Sequence, residues 1–407
     1  MRRRTRFAVL AAVAGPGLLA GLSDDDPAGI TTYSALGAEY GYRLLWVLVL
    51  STIALALFHD LGARMGIVTG QGLVGLIRET SGVRRGGVAL VLLIVANTGT
   101  TCAEFAGIAA GFELFGVTRY ISVPIAAVGV SFLVLRGSFH RVERVLLAVS
   151  AVFVTYIVSG ILAHPDWGAA LHGSVVPSLP TSRSAVLLVT ATVGTTLAPW
   201  GLSFIQSYAA DKHLTVKDLR YERVDVIVGS ALTGIIGFFV VVACAATLHR
   251  DGIKIHNAAD AALALEPLAG KLAADLFAVG LIGAAILAAS ILPLSTAYSV
   301  GEFVGRETAL DSGPREAPLF YGTYAAIALV GAGVVLIPGA PLIPILILTQ
   351  VLNAVLLVPL LGFMYGISRN REVMGARVAS RSASAGYLIG IAAILVCIVA
   401  LAVLSLT

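Results

Sequence analysis

Long apolar runs, separated by short polar breaks, recur from one end of this chain to the other. Eleven of them approach the roughly 20 residues that a helix needs to cross a bilayer core. They cover about residues 7–36, 42–63, 87–115, 120–135, 144–162, 184–210, 226–248, 272–300, 319–337, 341–368 and 384–406, the fourth and ninth being short. What lies between them is short loops, with no room for a soluble domain. The pattern predicts an all-α integral membrane protein, multi-pass, whose residues 1–407 form a single transmembrane domain.

Composition excludes the main competitor. With 58% hydrophobic and 12% charged residues and a mean hydropathy of +0.93, the chain is unlike soluble domains, which are about a quarter charged. A water-soluble enzyme is ruled out. The net charge of +4 does not signal nucleic acid, because the basic residues form no patch with interleaved aromatics. They sort by side of the membrane instead: with the N-terminus in the cytoplasm, 21 of the 27 Lys and Arg fall in cytoplasmic segments. Only Arg43, Arg119, Arg183, Arg250, Lys254 and Lys271 are left outside. That asymmetry predicts an N-terminus inside and, with an odd span count, a C-terminus outside. The setting is a bacterial-type inner membrane. The opening MRRRTRF followed by AVLAAVAGPGLLA also has the charge and apolar core of a cleavable signal peptide, but the charge count works with it retained. Cys102, Cys244 and Cys397 sit within predicted spans without CxxC spacing and read as buried small hydrophobes.

Two spans are broken in matching ways. The first contains Gly15-Pro16-Gly17 and then Ser23-Asp24-Asp25-Asp26-Pro27-Ala28-Gly29, where three carboxylates and a proline cannot continue a lipid-facing helix. The sixth contains Gly194-Thr195-Thr196-Leu197-Ala198-Pro199-Trp200-Gly201. Pro27 and Pro199 are 172 residues apart, five spans on, so the second copy enters from the opposite face, as in inverted-repeat transporters. The first repeat covers about 7–162, the second about 184–368, and the helix at about 384–406 is additional. Such breaks survive in a membrane only inside protein or along a wet cavity, and the carbonyls they free favour cations. Asp26 reads as a cation ligand ahead of a helix cap; for Asp24 and Asp25 a ligand, a cap or a vestibule charge remain open.

These residues carry a resemblance. The two broken segments resemble the metal-site motifs of the NRAMP family of divalent-metal transporters. So do Ala63-Arg64-Met65-Gly66-Ile67-Val68-Thr69-Gly70, Ala103-Glu104-Phe105-Ala106-Gly107 and Asn370-Arg371-Glu372-Val373-Met374-Gly375, in the family's order from residue 15 to about 375. The resemblance implies a LeuT-like fold, a 5+5 inverted repeat with helices 1 and 6 broken. Gly29 stands where the family's metal-binding asparagine would be. Ala198 and Trp200 replace the family's methionine ligand and the histidine beside its proton route, and Thr101 replaces an aspartate of the proton-coupled members. Glu104 matches the family's glutamate. The pattern is most similar to the NRAMP-related magnesium transporters, which carry Mg²⁺ and Mn²⁺.

Ligand chemistry agrees with that branch. A thioether helps reject hard Mg²⁺, so Ala198 removes discrimination, and Mg²⁺ suits a roomy site of one or two carboxylates, carbonyls and water. Asp26, Gly29, Thr195, Ala198, Gln350 and Asp25 are the candidate metal-site positions, with Glu104, Asp24, Trp200 and Asn353 as relay or supporting groups. Gln350 is placed by resemblance, and an interhelical hydrogen bond competes for it and for Asn353. Glu104 is either a relay or a structural carboxylate among Asn97, Thr98 and Thr100. Few titratable groups then remain near the centre, which predicts weak or absent proton coupling. Ser290, Ser295 and Thr296 read as backbone satisfaction around Pro293. His59 and His140 are placed at cytoplasmic loops and His164, His172, His249 and His256 at external ones, all solvated. No enzyme motif has a supporting context, and no cofactor is implied. The partners are the divalent ion as substrate and the lipid bilayer, with the oligomeric state unassigned. A proton-coupled Mn²⁺/Fe²⁺ symporter and an amino-acid or other organic-solute carrier on the same fold are the alternatives.

Overall fold

The computed structural model describes residues 21, 24–135, 155–305 and 315–406. The turn Gly15-Pro16-Gly17, the signal-peptide reading, the early part of the first span and most of the fifth lie outside these residues, as do Arg136, Arg141, Arg144, Arg306 and His140.

Every regular element among the described residues is a helix. In order, the helices of eight residues or more are α1 (Pro27–Tyr40), α2 (Leu45–Thr69), α3 (Leu73–Ser81), α4 (Val83–Leu114), α5 (Arg119–Leu135), α6 (Thr155–Leu162), α7 (Trp167–Val175), α8 (Arg183–Thr196) and α9 (Pro199–Asp211). They continue with α10 (Leu219–Cys244), α11 (Ala273–Val304), α12 (Pro318–Val335), α13 (Leu342–Ser368) and α14 (Arg381–Leu406). Taking α8 and α9 together, eight stretches among the described residues are long and apolar enough to cross a membrane. The first and fifth predicted spans are only partly described, and the fourth is the 17-residue α5, whose Pro124 sits inside it.

Burial separates the centre from the rim. Across an apolar window of 18 residues, the Arg183–Asp211 stretch is 94% buried inside the protein and α14 only 6%, so α8 and α9 form the axis and α14 faces outward. Around that axis, α4 packs most extensively on α11 and α13, α8 on α13, and α2 on α9 and α10. Glycines let two of these pairs, and α1 with α10, meet backbone to backbone. Gly37 of α1 lies against the Val241 carbonyl of α10, Gly66 of α2 against the Gln206 carbonyl of α9, and Gly194 of α8 against the Gln350 carbonyl of α13. A Cβ at any of them would overlap its partner's backbone. Small residues at such contacts are how membrane helices gain packing without a hydrophobic driving force.

Both helix breaks form as the prolines require. Asp26 (φ −77°, ψ 171°) and Ala198 (φ −61°, ψ 134°) are extended, and each is followed by a proline in the first helical turn. A proline disfavours helical backbone in the residue before it and is itself suited to the first turn, where its missing N–H costs nothing. Pro199 also leaves the Thr195 carbonyl, four residues back, without a helical donor. By contrast Pro293 is carried within α11 without a break. Ser290 donates to the Ile286 carbonyl at 2.7 Å and Thr296 to that of Leu292 at 3.2 Å.

Candidate cation site at the two helix breaks

The α1 break places three carboxylates in the interior. Asp24, Asp25 and Asp26 are 1%, 3% and 4% exposed, so none of them belongs to a solvated loop. Asp26 caps α1: its Oδ1 accepts from the Gly29 N–H at 2.6 Å. Capping leaves the side chain able to accept more, because a carboxylate has lone pairs left after one N–H. The Asp26 carboxyl also faces that of Glu104, presented by α4.

Gly29 is the point on which oxygens converge. A Cβ built there would stand 2.7 Å from the Asp24 carbonyl oxygen and 3.3 Å from both Asp26 Oδ1 and Thr195 Oγ1. The first and sixth spans thus meet at this glycine, and the absence of a side chain is what allows it. Thr195 is 2% exposed and its hydroxyl has no hydrogen-bond partner. A second link runs alongside, where Tyr33 and Thr196 share a hydrogen bond of 2.9 Å between α1 and α8. Among the described residues no three His, Cys, Asp or Glu side chains form a ready-made ligand set. Backbone carbonyls, hydroxyls and retained water must complete any cation shell here, which suits hard, oxygen-seeking ions.

The remaining candidates fall on two sides of this point. Ala198 and Trp200 are buried in an apolar cluster with Leu287, Ala288, Ile291 and Phe204. Trp200, Phe204 and Tyr208 continue it as an aromatic ladder down α9, with ring centroids 6.1 and 5.2 Å apart. On the other side, Asn353 donates to Thr100 Oγ1 and to Gln350 Oε1, each at 2.9 Å, and so ties α13 to α4. Gln350 donates to Thr349 at 3.3 Å while its carbonyl receives Gly194, one residue before Thr195.

Glu104 does not use the polar neighbours that would make it structural. Asn97 donates to Thr296, and Thr98 and Thr100 donate to the carbonyls of Ile94 and Ala96. Both Glu104 carboxyl oxygens are buried with no hydrogen bond to these neighbours, so that Asp26 is the group they face, and the side chain is 0% exposed. Thr101 satisfies itself on the Asn97 carbonyl at 2.7 Å.

One residue contradicts its sequence placement. His59 is not at a loop: α2 runs on to Thr69, and His59 is 1% exposed inside the bundle, with neither ring nitrogen hydrogen-bonded. The predicted span stops at residue 63 because Arg64 follows, yet Arg64 is accommodated within the helix by donating to the Tyr387 hydroxyl at 2.7 Å. The signal available was that His59 falls inside the predicted span, four residues from its end. The eighth span is longer than predicted as well. It carries Glu302, which accepts from Ser207 of α9 at 2.6 Å and sits against Gly72 at the start of α3.

The helix starts at Pro27 and Pro199, brought together at the centre of a helical bundle beside buried carboxylates, belong to a LeuT-like fold, and the chain is a transporter, not an enzyme. Residues 17–404 match the family model "Nramp: Natural resistance-associated macrophage protein-like", and the chain belongs to this family. A curated relative, the divalent metal cation transporter MntH of Pectobacterium carotovorum subsp. carotovorum, is 29% identical over 387 residues, covering 92% of this chain and 90% of its own. Among solved structures, the manganese transporter of Eremococcus coleocola bound to an aromatic bis-isothiourea compound is similar with a TM-score of 0.77 and 18% identity, covering 96% of this chain and 85% of that one. MhsT in complex with L-phenylalanine shares the fold at a TM-score of 0.63 and 13% identity, covering 96% and 97%.

Proposed function

We propose that this protein moves hard divalent cations, Mg²⁺ together with Mn²⁺, across a bacterial inner membrane by alternating access, with weak or no coupling to protons. The observation that carries this reading is the convergence of Asp26 Oδ1, Thr195 Oγ1 and the Asp24 carbonyl at Gly29, with no thioether at position 198. Asp26 is the principal ligand. Thr195 and the carbonyls at the breaks add neutral oxygens, Asp25 adds charge, and Gln350, whose backbone packs on Gly194, is the α13 residue that joins the shell when the site closes. A shell of this kind leaves Mg²⁺ the waters it gives up reluctantly. Mn²⁺ accepts the same oxygens, and relatives named as divalent metal cation or manganese transporters support cation transport in general.

Weak coupling follows from the replacements. Trp200 and Thr101 lack the ionisable group of the residues they replace, and Thr101 is already bonded to its own helix. An inside-negative potential supplies the drive, about 4.6 kcal/mol per 100 mV for two charges. The charge asymmetry of the loops supports an N-terminus inside and a C-terminus outside. The single domain is built from repeats at about 7–162 and 184–368, with the helix at 384–406 added.

The deciding experiment is Mn²⁺ uptake into liposomes holding the purified protein, with and without millimolar Mg²⁺. Strong competition is the expected result; uptake indifferent to Mg²⁺ would transfer the assignment to a proton-coupled Mn²⁺/Fe²⁺ symporter. The burial of His59, a titratable group inside the bundle, favours that second reading. An organic-solute carrier would aim half-helix N-termini at a carboxylate and has no use for three aspartates at the break.

A further inference from the structure

Asp24 faces two ways. Its carbonyl oxygen points at Gly29 and the convergence described above, while its side chain turns towards α9. There, a Cβ built on Gly201 would stand 3.7 Å from Asp24 Oδ1 and 3.3 Å from His59 Nε2. The carboxylate oxygen and the imidazole nitrogen are therefore less than about 7 Å apart, yet they are not hydrogen-bonded to each other. Both side chains are 1% exposed, and among the described residues neither ring nitrogen of His59 and neither carboxylate oxygen of Asp24 has a partner. Burying such groups unpaired is costly, and an ion or a hydrated ion between them removes the cost. The lack of a side chain at Gly201 keeps the space between them open.

We infer that His59 and Asp24 form a second station for the transported cation, displaced from the Asp26 crossing towards the end of α2 where Asp60 pairs with Arg223 at 2.8 Å. The inference rests on the cation-transport reading and adds a ligand to it. Imidazole suits Mn²⁺ and other transition ions better than Mg²⁺, which prefers oxygen and keeps its water. At this station Mn²⁺ is held directly by His59 Nε2 and Asp24, whereas Mg²⁺ touches them through its hydration shell. The chain thus recovers, from α2, part of the discrimination that Ala198 gives up. Two neighbouring stations of modest strength also let an ion leave the first without a long unliganded step.

The test is pulsed electron paramagnetic resonance of Mn²⁺ bound to the full-length purified protein, read for coupling to an imidazole nitrogen. The wild type is expected to show the coupling. His59→Gln should abolish it and make Mg²⁺ a several-fold stronger competitor of Mn²⁺ uptake. Gly201→Ala, which fills the space with a methyl group on a helix that tolerates alanine, should also abolish it. Bound and transported Mn²⁺ without nitrogen coupling in the wild type, or coupling that survives His59→Gln, would overturn the station and leave the transport reading intact. A wild type that transports neither Mn²⁺ nor Mg²⁺ overturns both.

Discussion

Restoring the family's asparagine at position 29 should damage this transporter instead of improving it. The added Cβ would approach the Asp24 carbonyl oxygen to 2.7 Å and the oxygens of Asp26 and Thr195 to 3.3 Å, where ordinary contacts begin at 3.4 Å. The nearest atom is backbone, held in the turn where the Asp24 N–H reaches back to the Gly21 carbonyl at 3.1 Å, so it cannot swing aside as a flexible side chain would. Forcing extra atoms into a packed interior costs about 1–3 kcal/mol, equivalent to about 5- to 150-fold in occupancy or rate. The convergence of three oxygens is lost at the same time. Initial rates of Mn²⁺ uptake into liposomes, measured for the wild type, Gly29→Ala and Gly29→Asn with insertion checked by size-exclusion profile, give the comparison. Both variants should lose uptake by at least the lower bound, Gly29→Asn no less than Gly29→Ala. Wild-type or faster uptake by a correctly inserted Gly29→Asn would refute the argument that this glycine is the seat of the site.

Four other outcomes are expected. Asp26→Ala abolishes Mn²⁺ uptake while the protein still inserts; uptake at the wild-type rate would remove Asp26 from the site. Ala198→Met supplies the missing thioether and should weaken Mg²⁺ as a competitor, and an unchanged competition curve would show that softness at this position does not set selectivity. A pH-sensitive dye inside the liposomes should register little acidification while Mn²⁺ enters, whereas a proton flux that tracks metal uptake would defeat the weak-coupling reading. Tyr33→Phe removes one hydrogen bond between α1 and α8, which should cost about 1 kcal/mol of stability, visible as a lower unfolding temperature in detergent.

The breaks were legible because proline acts locally. Pro27 and Pro199 dictate the backbone of the residues before them whatever surrounds them, and both extended residues and new helix starts fall where the sequence places them. The apolar spans were legible for a similar reason, since length and hydropathy need no partner. What the sequence hid depends on partners. The reach of α2 past Arg64 depends on Tyr387, which is 323 residues away and supplies the acceptor. His59, near the cut end of the span and beside Asp60, reads as solvated. The freedom of Glu104 was equally hidden, because Asn97, Thr98 and Thr100 are near it in sequence but are spent on Thr296 and on their own helix. The crowding at Gly29 appears only when the α8 hydroxyl of Thr195 is brought across to it.

The glycine contacts that seat α1 on α10, α2 on α9 and α8 on α13 have a mechanical meaning. Backbones in direct contact have no side-chain layer to shear, so each pair travels as one rigid limb. Flexibility is then left to the short extended joints, Asp26 before α1 and Leu197-Ala198 between α8 and α9. The proposed cation binds on those joints. On the proposed reading, an ion held there stiffens the joints between the limbs, so the cargo itself sets the stiffness of the machine that carries it.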